Sequence, residues 1–403
     1  MNKFFSLGFI ALFSFSFQGQ AQTIPSTSPV PPLAEPIPLG ISSGPVSRPA
    51  ISPLPFPGPM GGGENPNDLT LSPLAPTAFM EEPAILESTW FGNFGARALM
   101  RKHTQQFVTA YLNPTNTDSG TVPNFATLPG LQNFRDLNPP MSWGPAVTLG
   151  IIHNNHILEF YGFYIPQNSK AISVSLPGQL SSPFGSVPPP PFAPIGFQGN
   201  NGLVLNADTI TTTFNTALGN AEFNYRYCSN AVKDFEIVIG IRYFDMQENM
   251  VVSTNDDGLV FPTNPILVAD YNSRSHNHML NAQVGYEYNA RILPHVGIGS
   301  MGKGGIGPNW WQSQVSLTRG DGLEGFNGSQ AGTAFSSIFE LSLYADILLL
   351  ERARMRVGYN VMWLIGVSEA AAQFDYNLRN QSGSRDIGSA FYQGPTLDFQ
   401  FLF

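Results

Sequence analysis

A single cysteine, Cys228, gives the chain no second thiol with which to close an internal disulfide. It reads as a small buried or interfacial side chain rather than a nucleophile. Charge is scarce as well: Asp, Glu, Lys and Arg make up 12% of the 403 residues, about half the share of an ordinary soluble domain. The balance is acidic, at −9, which argues against nucleic acid as a partner. Long apolar runs are missing too, and nothing approaches the ~20 residues that a membrane-spanning helix requires. Serines and histidines scattered through loop-like sequence make no triad, so neither an enzyme activity nor a cofactor is expected. What is abundant is aromatic side chain, also 12%. Few charges, many aromatics and no spanning helix suit strands that alternate between lipid and lumen. A secreted, β-rich soluble protein shares these totals, so the pattern along the chain has to decide.

The chain opens with Lys3, an apolar stretch from Phe4 to Phe17, and a small-residue cleavage site at Gly19-Gln20-Ala21. That is the pattern of a secretory leader over residues 1–21, too short to anchor. Its removal takes away only Lys3 and moves the charge to about −10. Twelve prolines follow between residues 22 and 60. Proline withholds the backbone donor that helices and ladders need, so 22–87 is expected to be an extended periplasmic linker.

From Thr89 onward the dominant period is two. Ala221, Phe223, Tyr225 and Tyr227 alternate with Asn220, Glu222, Asn224 and Arg226; Ile237, Ile239, Ile241 and Tyr243 alternate with Glu236, Val238, Gly240 and Arg242. Leu280 to Tyr288, Phe339 to Asp346 and Arg354 to Trp363 repeat the scheme. Successive strand side chains point to opposite faces, so each segment carries one apolar and one polar face. This predicts strands near 89–101, 142–152, 156–165, 219–227, 235–246, 277–288, 290–300, 334–346, 353–364 and 395–403. The expected connections alternate: short at 153–155, 228–234, Asn289 and 347–352, and long at 102–141, 166–218, 247–276, 301–333 and 365–394. Short turns at one rim and long loops at the other predict an all-β, transmembrane, antiparallel up-and-down β-barrel over 88–403, of about ten strands (range 10–14), with its loops outside the cell. A soluble sandwich also alternates, but buries its apolar face in a dry core.

The last residues place apolar side chains at Leu397, Phe399, Phe401 and Phe403. A final amphipathic strand ending in phenylalanine resembles the signal read by the outer-membrane barrel assembly machinery. That machinery and outer-membrane lipid are therefore the expected partners.

Other motifs carry less. Gly297-Ile298-Gly299-Ser300-Met301-Gly302-Lys303 imitates a phosphate-binding loop, but Gly304-Gly305-Ile306-Gly307-Pro308 cannot start the helix that such a loop needs. A flexible extracellular loop is expected there. His153 with His156, and His276 with His278, offer two ligands each where three or four must converge, and no cysteine or carboxylate cluster completes either pair, so no metal site is expected. Asp256-Asp257-Gly258 is a turn signal. Trp310 and Trp311 belong to an aromatic girdle or to a loop that touches glycans. The proline run Pro188–Pro191 sits in a loop that either folds inward over the mouth or projects.

The most functional-looking set is the charge on the polar faces: Arg97, Arg101, Glu222, Arg226, Glu236, Arg242, Glu287, Glu340, Arg354 and Arg356. In a wide barrel these residues line water and set ion selectivity. In a barrel of about ten strands opposite charges also have the reach to pair across the lumen and close it.

Trp90-Phe91-Gly92, the phrase from Gly219 to Tyr227, and Arg356-Val357-Gly358-Tyr359-Asn360-Val361-Met362-Trp363 follow one another behind the leader and the Pro-rich linker. In that order they resemble the outer-membrane β-barrel porin family of planctomycete-type bacteria, across about residues 88–403. The resemblance implies an outer-membrane barrel with a porin label and brings no catalytic residues; the charged polar faces make passive diffusion of small hydrophilic solutes the expected function. A plugged barrel that displays its loops for adhesion or envelope structure is the alternative.

Overall fold

The computed structural model describes residues 88–102, 108–112, 128–182, 207–229, 234–256, 267–320, 322, 325–374 and 386–403. The leader, the Pro-rich linker, Pro188–Pro191 and Asp257-Gly258 lie outside them.

In chain order the strands are β1 (Thr89–Lys102), β2 (Val108–Leu112), β3 (Gly130–Asn133), β4 (Ser142–His153), β5 (His156–Ser181), β6 (Ala207–Cys228), β7 (Phe235–Asn255), β8 (Val268–Leu293), β9 (Val296–Arg319), β10 (Phe326–Leu350), β11 (Ala353–Ser368) and β12 (Ile387–Leu402). All of them except β2 and β3 pair antiparallel in sequence order, and β1 joins β12 to close a ten-stranded barrel. Closure leaves no sheet edge to satisfy in lipid. The short β2–β3 pair joins the ladder at the far end of β5, through Tyr111↔Ser181 and Leu112↔Leu180.

Tight turns gather at one rim. His153 pairs with His156, Leu293 with Val296, and Leu350 with Ala353. Asn154 takes a positive φ of 53°, the geometry that a two-residue hairpin turn demands. Both described ends lie at this rim too, where Phe403 N donates to Trp90 O. Short turns mark the periplasmic side.

The strands are far longer than the alternation predicts. Crossing hydrocarbon takes about 9–11 tilted residues; β5 and β8 run for 26 each and β10 for 25. The surplus projects on the extracellular side, and there the pattern changes sense. Within the membrane band of β7, Ile237, Ile239, Ile241 and Tyr243 are exposed outward. Beyond it Phe244, Met246, Met250 and Val252 are buried inward, while Asp245, Gln247 and Asn249 take the outer wall. On β6 the buried Ile210, Phe214 and Leu218 of the extension likewise face opposite to Phe223 and Tyr225 of the band. The lower barrel is lipid-facing with a polar interior, and the upper barrel is water-facing with an apolar interior. Strand geometry runs straight through the inversion. The hydrophobic parity slips by one at the interface, and sequence alternation therefore stops there.

Three expectations are corrected accordingly. Residues 247–276 and 301–333 are mostly strand rather than loop, and 102–141 contains β2 and β3. The turn placed at Asn289 falls after Leu293 instead. The glycine-rich Gly297–Gly307 stretch is the membrane-level part of β9, not an extracellular loop. Its glycines make room for neighbouring rings: a Cβ on Gly302 would meet Tyr286 at 2.5 Å, and one on Gly299 would meet Tyr344 at 2.5 Å. Glycine inside a strand commonly marks such close approaches.

Candidate functional site

A barrel lined by alternating charges is a candidate conduit, so the lumen is the site to build. Three layers of ion pairs fill it from the periplasmic rim upward.

In the lowest layer Arg226 reaches Glu159 at 2.9 Å, Glu236 at 3.4 Å and also Glu287. Arg356 bridges Glu287 and Asp346 at 2.8 Å each, and Arg354 meets Asp346 at 3.3 Å. The remaining space there is a cavity of about 40 Å³. At about 10–15 Å³ per site that holds a few waters and no solute.

In the middle layer Glu340 is shared by Arg97 and Arg242, each at 2.7 Å. Glu222 takes Lys303 at 2.8 Å and Arg242 at 3.5 Å. Arg97 also lies over the rings of Tyr161 and Phe163, 5.1 and 4.9 Å from their centroids. Arg97 on β1 and Arg242 on β7 both reach Glu340 on β10, and Lys303 on β9 reaches Glu222 on β6. These contacts cross between non-adjacent strands, while Glu222 and Arg242 face each other across the neighbouring β6–β7 pair.

In the top layer Arg101 binds Glu248 at 2.9 Å and Glu369 at 2.5 Å. Glu369 belongs to no barrel strand. It opens a short segment, Glu369–Phe374, that follows β11 and folds into the mouth. The chain is steered inward at Gly366, whose φ is +79° and where a Cβ would meet Phe335 O at 2.1 Å. A register shift between Ile365 and Val367 sits at the same point, as expected of a bulge that bends its strand. Asn277 holds the diverted backbone from both sides, donating to Ser368 O at 2.7 Å and accepting from Ser368 N at 2.8 Å. Asn309 donates to Gly366 O at 2.9 Å, Ser275 to Ser368 O at 2.6 Å and Ser273 to Ala370 O at 2.7 Å.

Above these layers the mouth is packed with apolar side chains. Ala370 and Ala371 from this segment, Ala110 from β2, and Phe134 and Leu137 from the 3-10 turn after β3 pack with Phe214, Met250, Tyr271 and Val315 of the wall. Phe134 meets Phe214 edge-on at 5.7 Å. The two inserted segments together form an apolar stopper, made of chain that the barrel ladder does not need.

Glu369 lies outside the strands, and burial, partly offset by the Arg101 guanidinium and reinforced by the Glu248 carboxylate, pushes its carboxyl up to about 7. A carboxyl whose folded pKa stands above its ordinary 4.5 binds more protons folded than unfolded. Stability is then greatest below that ordinary value and falls as pH rises through about 7. The expected result is a loosening of the stopper between these two values. Limited proteolysis at the mouth across this range checks it, and E369Q should flatten the dependence.

All ten polar-face charges singled out from the sequence take part in these ion pairs. Sequence reasoning missed Glu159, Glu248, Lys303, Asp346 and Glu369. Glu159 and Asp346 stood on alternating polar faces, between Leu158 and Phe160 and after Ala345. Lys303 and Glu248 were assigned to loops. The expected assembly residues Phe399, Phe401 and Phe403 are exposed on the outer face, with Leu397 alongside on β12. Trp310 and Trp311 divide, the first exposed on the outer wall opposite His278 and the second turned inward against Gly332. Cys228 is buried at the end of β6.

A closed up-and-down barrel with a charged interior now meets the comparison that decides its family. Residues 191–399, just over half the chain, match the family described as "Putative beta barrel porin-7". The chain belongs to that family. As a beta barrel porin-7 member it is an outer-membrane β-barrel. No curated protein matches its sequence. Among solved structures it is similar to the outer membrane protease OmpT from Escherichia coli, at 10% identity and a TM-score of 0.37 over 81% of this chain and 100% of that one. It is also similar to the P. putida toluene transporter TodX, at 10% identity and 0.29 over 79% and 90%. A Pseudomonas aeruginosa FadL homologue follows at 9% identity and 0.24 over 82% and 94%. At such identities and scores these likenesses carry no activity across.

Proposed function

We propose that this porin-family barrel is a stoppered channel: closed at rest, it passes small hydrophilic solutes or ions only when the inserted segments leave the mouth. The observation that carries this reading is the make-up of the closure. Residues 369–374 belong to no strand, and the β2–β3 unit branches from the sheet through two rungs at the end of β5, so both can move without opening the ten-stranded ring. Below them the lumen carries layers of charge pairs, which water and mobile ions can replace, interleaved with apolar side chains such as Phe163, Phe244, Met279 and Met362. Ion pairs buried at a desolvation cost are weak stabilisers, and their best-attested use is in register or switching. The reading assigns no reaction to the barrel.

A second reading, a permanently plugged barrel that displays its extracellular crown, is favoured by one observation: the extension has its own apolar core and a polar outer wall. Proteoliposome swelling in isotonic small sugars separates the two. The stoppered channel gives no swelling at rest and swelling once Glu369–Phe374 is deleted. A display barrel gives none in either case.

A further inference from the structure

Outside the lumen, one cluster on the outer wall is built for a different task. The β7–β8 register pairs Tyr243 with Leu280, Asp245 with His278 and Gln247 with His276. Tyr243 and Leu280 close the lipid band, so the next two outward rungs stand just above it, in water. Asp245, His276 and His278 share that face, and their ligand atoms all lie within 4.8 Å of one another.

One oxygen serves both rings. Asp245 Oδ1 is 2.6 Å from His276 Nε2 and 3.1 Å from His278 Nδ1, and the two imidazole centroids are 4.0 Å apart. Gln247 Nε2 donates to the other oxygen, Oδ2, at 3.0 Å, which turns Oδ1 toward the histidines. Tyr243 Oη lies 2.7 Å from His278 Nδ1, a hydrogen bond that a metal on that nitrogen would replace. The carboxylate is thus oriented by Gln247, an outer-shell partner of the kind that positions metal ligands. Two neighbouring ladder strands hold the three Cα positions, and the side chains are only half-buried, open to solvent.

We propose that Asp245, His276 and His278 bind a divalent transition-metal ion of the zinc class on the extracellular wall. Zinc bonds of about 2.0–2.1 Å place tetrahedral ligand atoms about 3.3 Å apart. The three atoms reach that spacing by small rotations from their present hydrogen bonds. Two imidazoles with one carboxylate favour such an ion over magnesium or calcium, which prefer all-oxygen cages. Three protein ligands leave a fourth position for water or an external donor, as in open zinc sites. Space exists for that donor, because His276 also lines a polar groove of about 450 Å³ with Gln247, Arg274, Gln312 and Gln314. The histidine pair lacks a sequence-adjacent carboxylate, and the neighbouring strand supplies it. The site is independent of whether the lumen conducts.

The test uses the full chain, refolded without a histidine tag, stripped with chelator and titrated with cobalt(II) and then zinc(II). Gel mobility before and after heating establishes that every sample is folded. The expected result is a saturable visible cobalt band at one equivalent, displaced by zinc. It should disappear in D245N/H276Q/H278Q and persist in H153Q/H156Q. Removing the orienting amide in Q247L should weaken binding by roughly 10–100-fold. A folded barrel with no cobalt band, or a band unchanged in the triple variant, overturns the proposal.

Discussion

Replacing Glu340 with alanine should destabilise the folded barrel by about 3–5 kcal/mol, the cost of orphaning a buried charge. Glu340 sits at the centre of the middle layer, with Arg97 on Oε1, Arg242 on Oε2 and Asn360 donating to Oε1 at 2.8 Å. Truncation takes the ion-pair partner from Arg97 and leaves Arg242 with Glu222 at 3.5 Å, both guanidiniums nearly sealed from solvent. Arginine does not relieve this by losing a proton, because the delocalised guanidinium stays charged in proteins. Replacing Arg97, Arg242 and Glu340 together with apolar residues of similar volume should be close to neutral, since the desolvation of all three is then avoided. Urea unfolding followed by heat-modifiable gel mobility measures both variants. A single variant within about 1 kcal/mol of the parent, the usual ceiling for an exposed pair, would mean that the middle layer is hydrated and not sealed.

The second large effect concerns the stopper. The double variant N277A/N309A removes the hydrogen bonds that hold Gly366 and Ser368 in the diverted path. At about 1 kcal/mol for each bond lost, the in-folded state should weaken by about 3 kcal/mol. Each 1.4 kcal/mol is tenfold in an equilibrium, so the open-to-closed ratio should rise about a hundredfold. The barrel itself keeps its ladder and its gel mobility. Opening frequency in planar bilayers reads the change, and an unchanged frequency would mean that this segment does not gate the lumen.

Much of this molecule is legible in its sequence, and the boundary of legibility has a physical cause. The ten barrel strands, the strict face alternation of Ala221–Tyr227 and Ile237–Tyr243, and the polar-face charges follow from period-two patterning against lipid. Strand length does not. Past Tyr243 the outer wall meets water and the inner wall meets an apolar core, so Phe244, Met246 and Met250 break the parity while the ladder continues. Gly299 and Gly302 read as a loop because their role, room for Tyr344 and Tyr286, lies on neighbouring strands. The stopper is harder still. Arg101 and Glu369 are 268 residues apart, and nothing in either neighbourhood names the other. The same holds for Asp245 beside His276 and His278, where only the β7–β8 register supplies the missing carboxylate.

The measurement that tests the central claim most directly is single-channel conductance of the refolded full chain in a planar bilayer, with gel mobility confirming the folded barrel. A stoppered channel gives a silent baseline broken by rare, discrete openings of one size. Steady conductance that scales with salt from the moment of insertion would contradict it, because the ion-pair layers and the apolar mouth leave no continuous path through the described lumen.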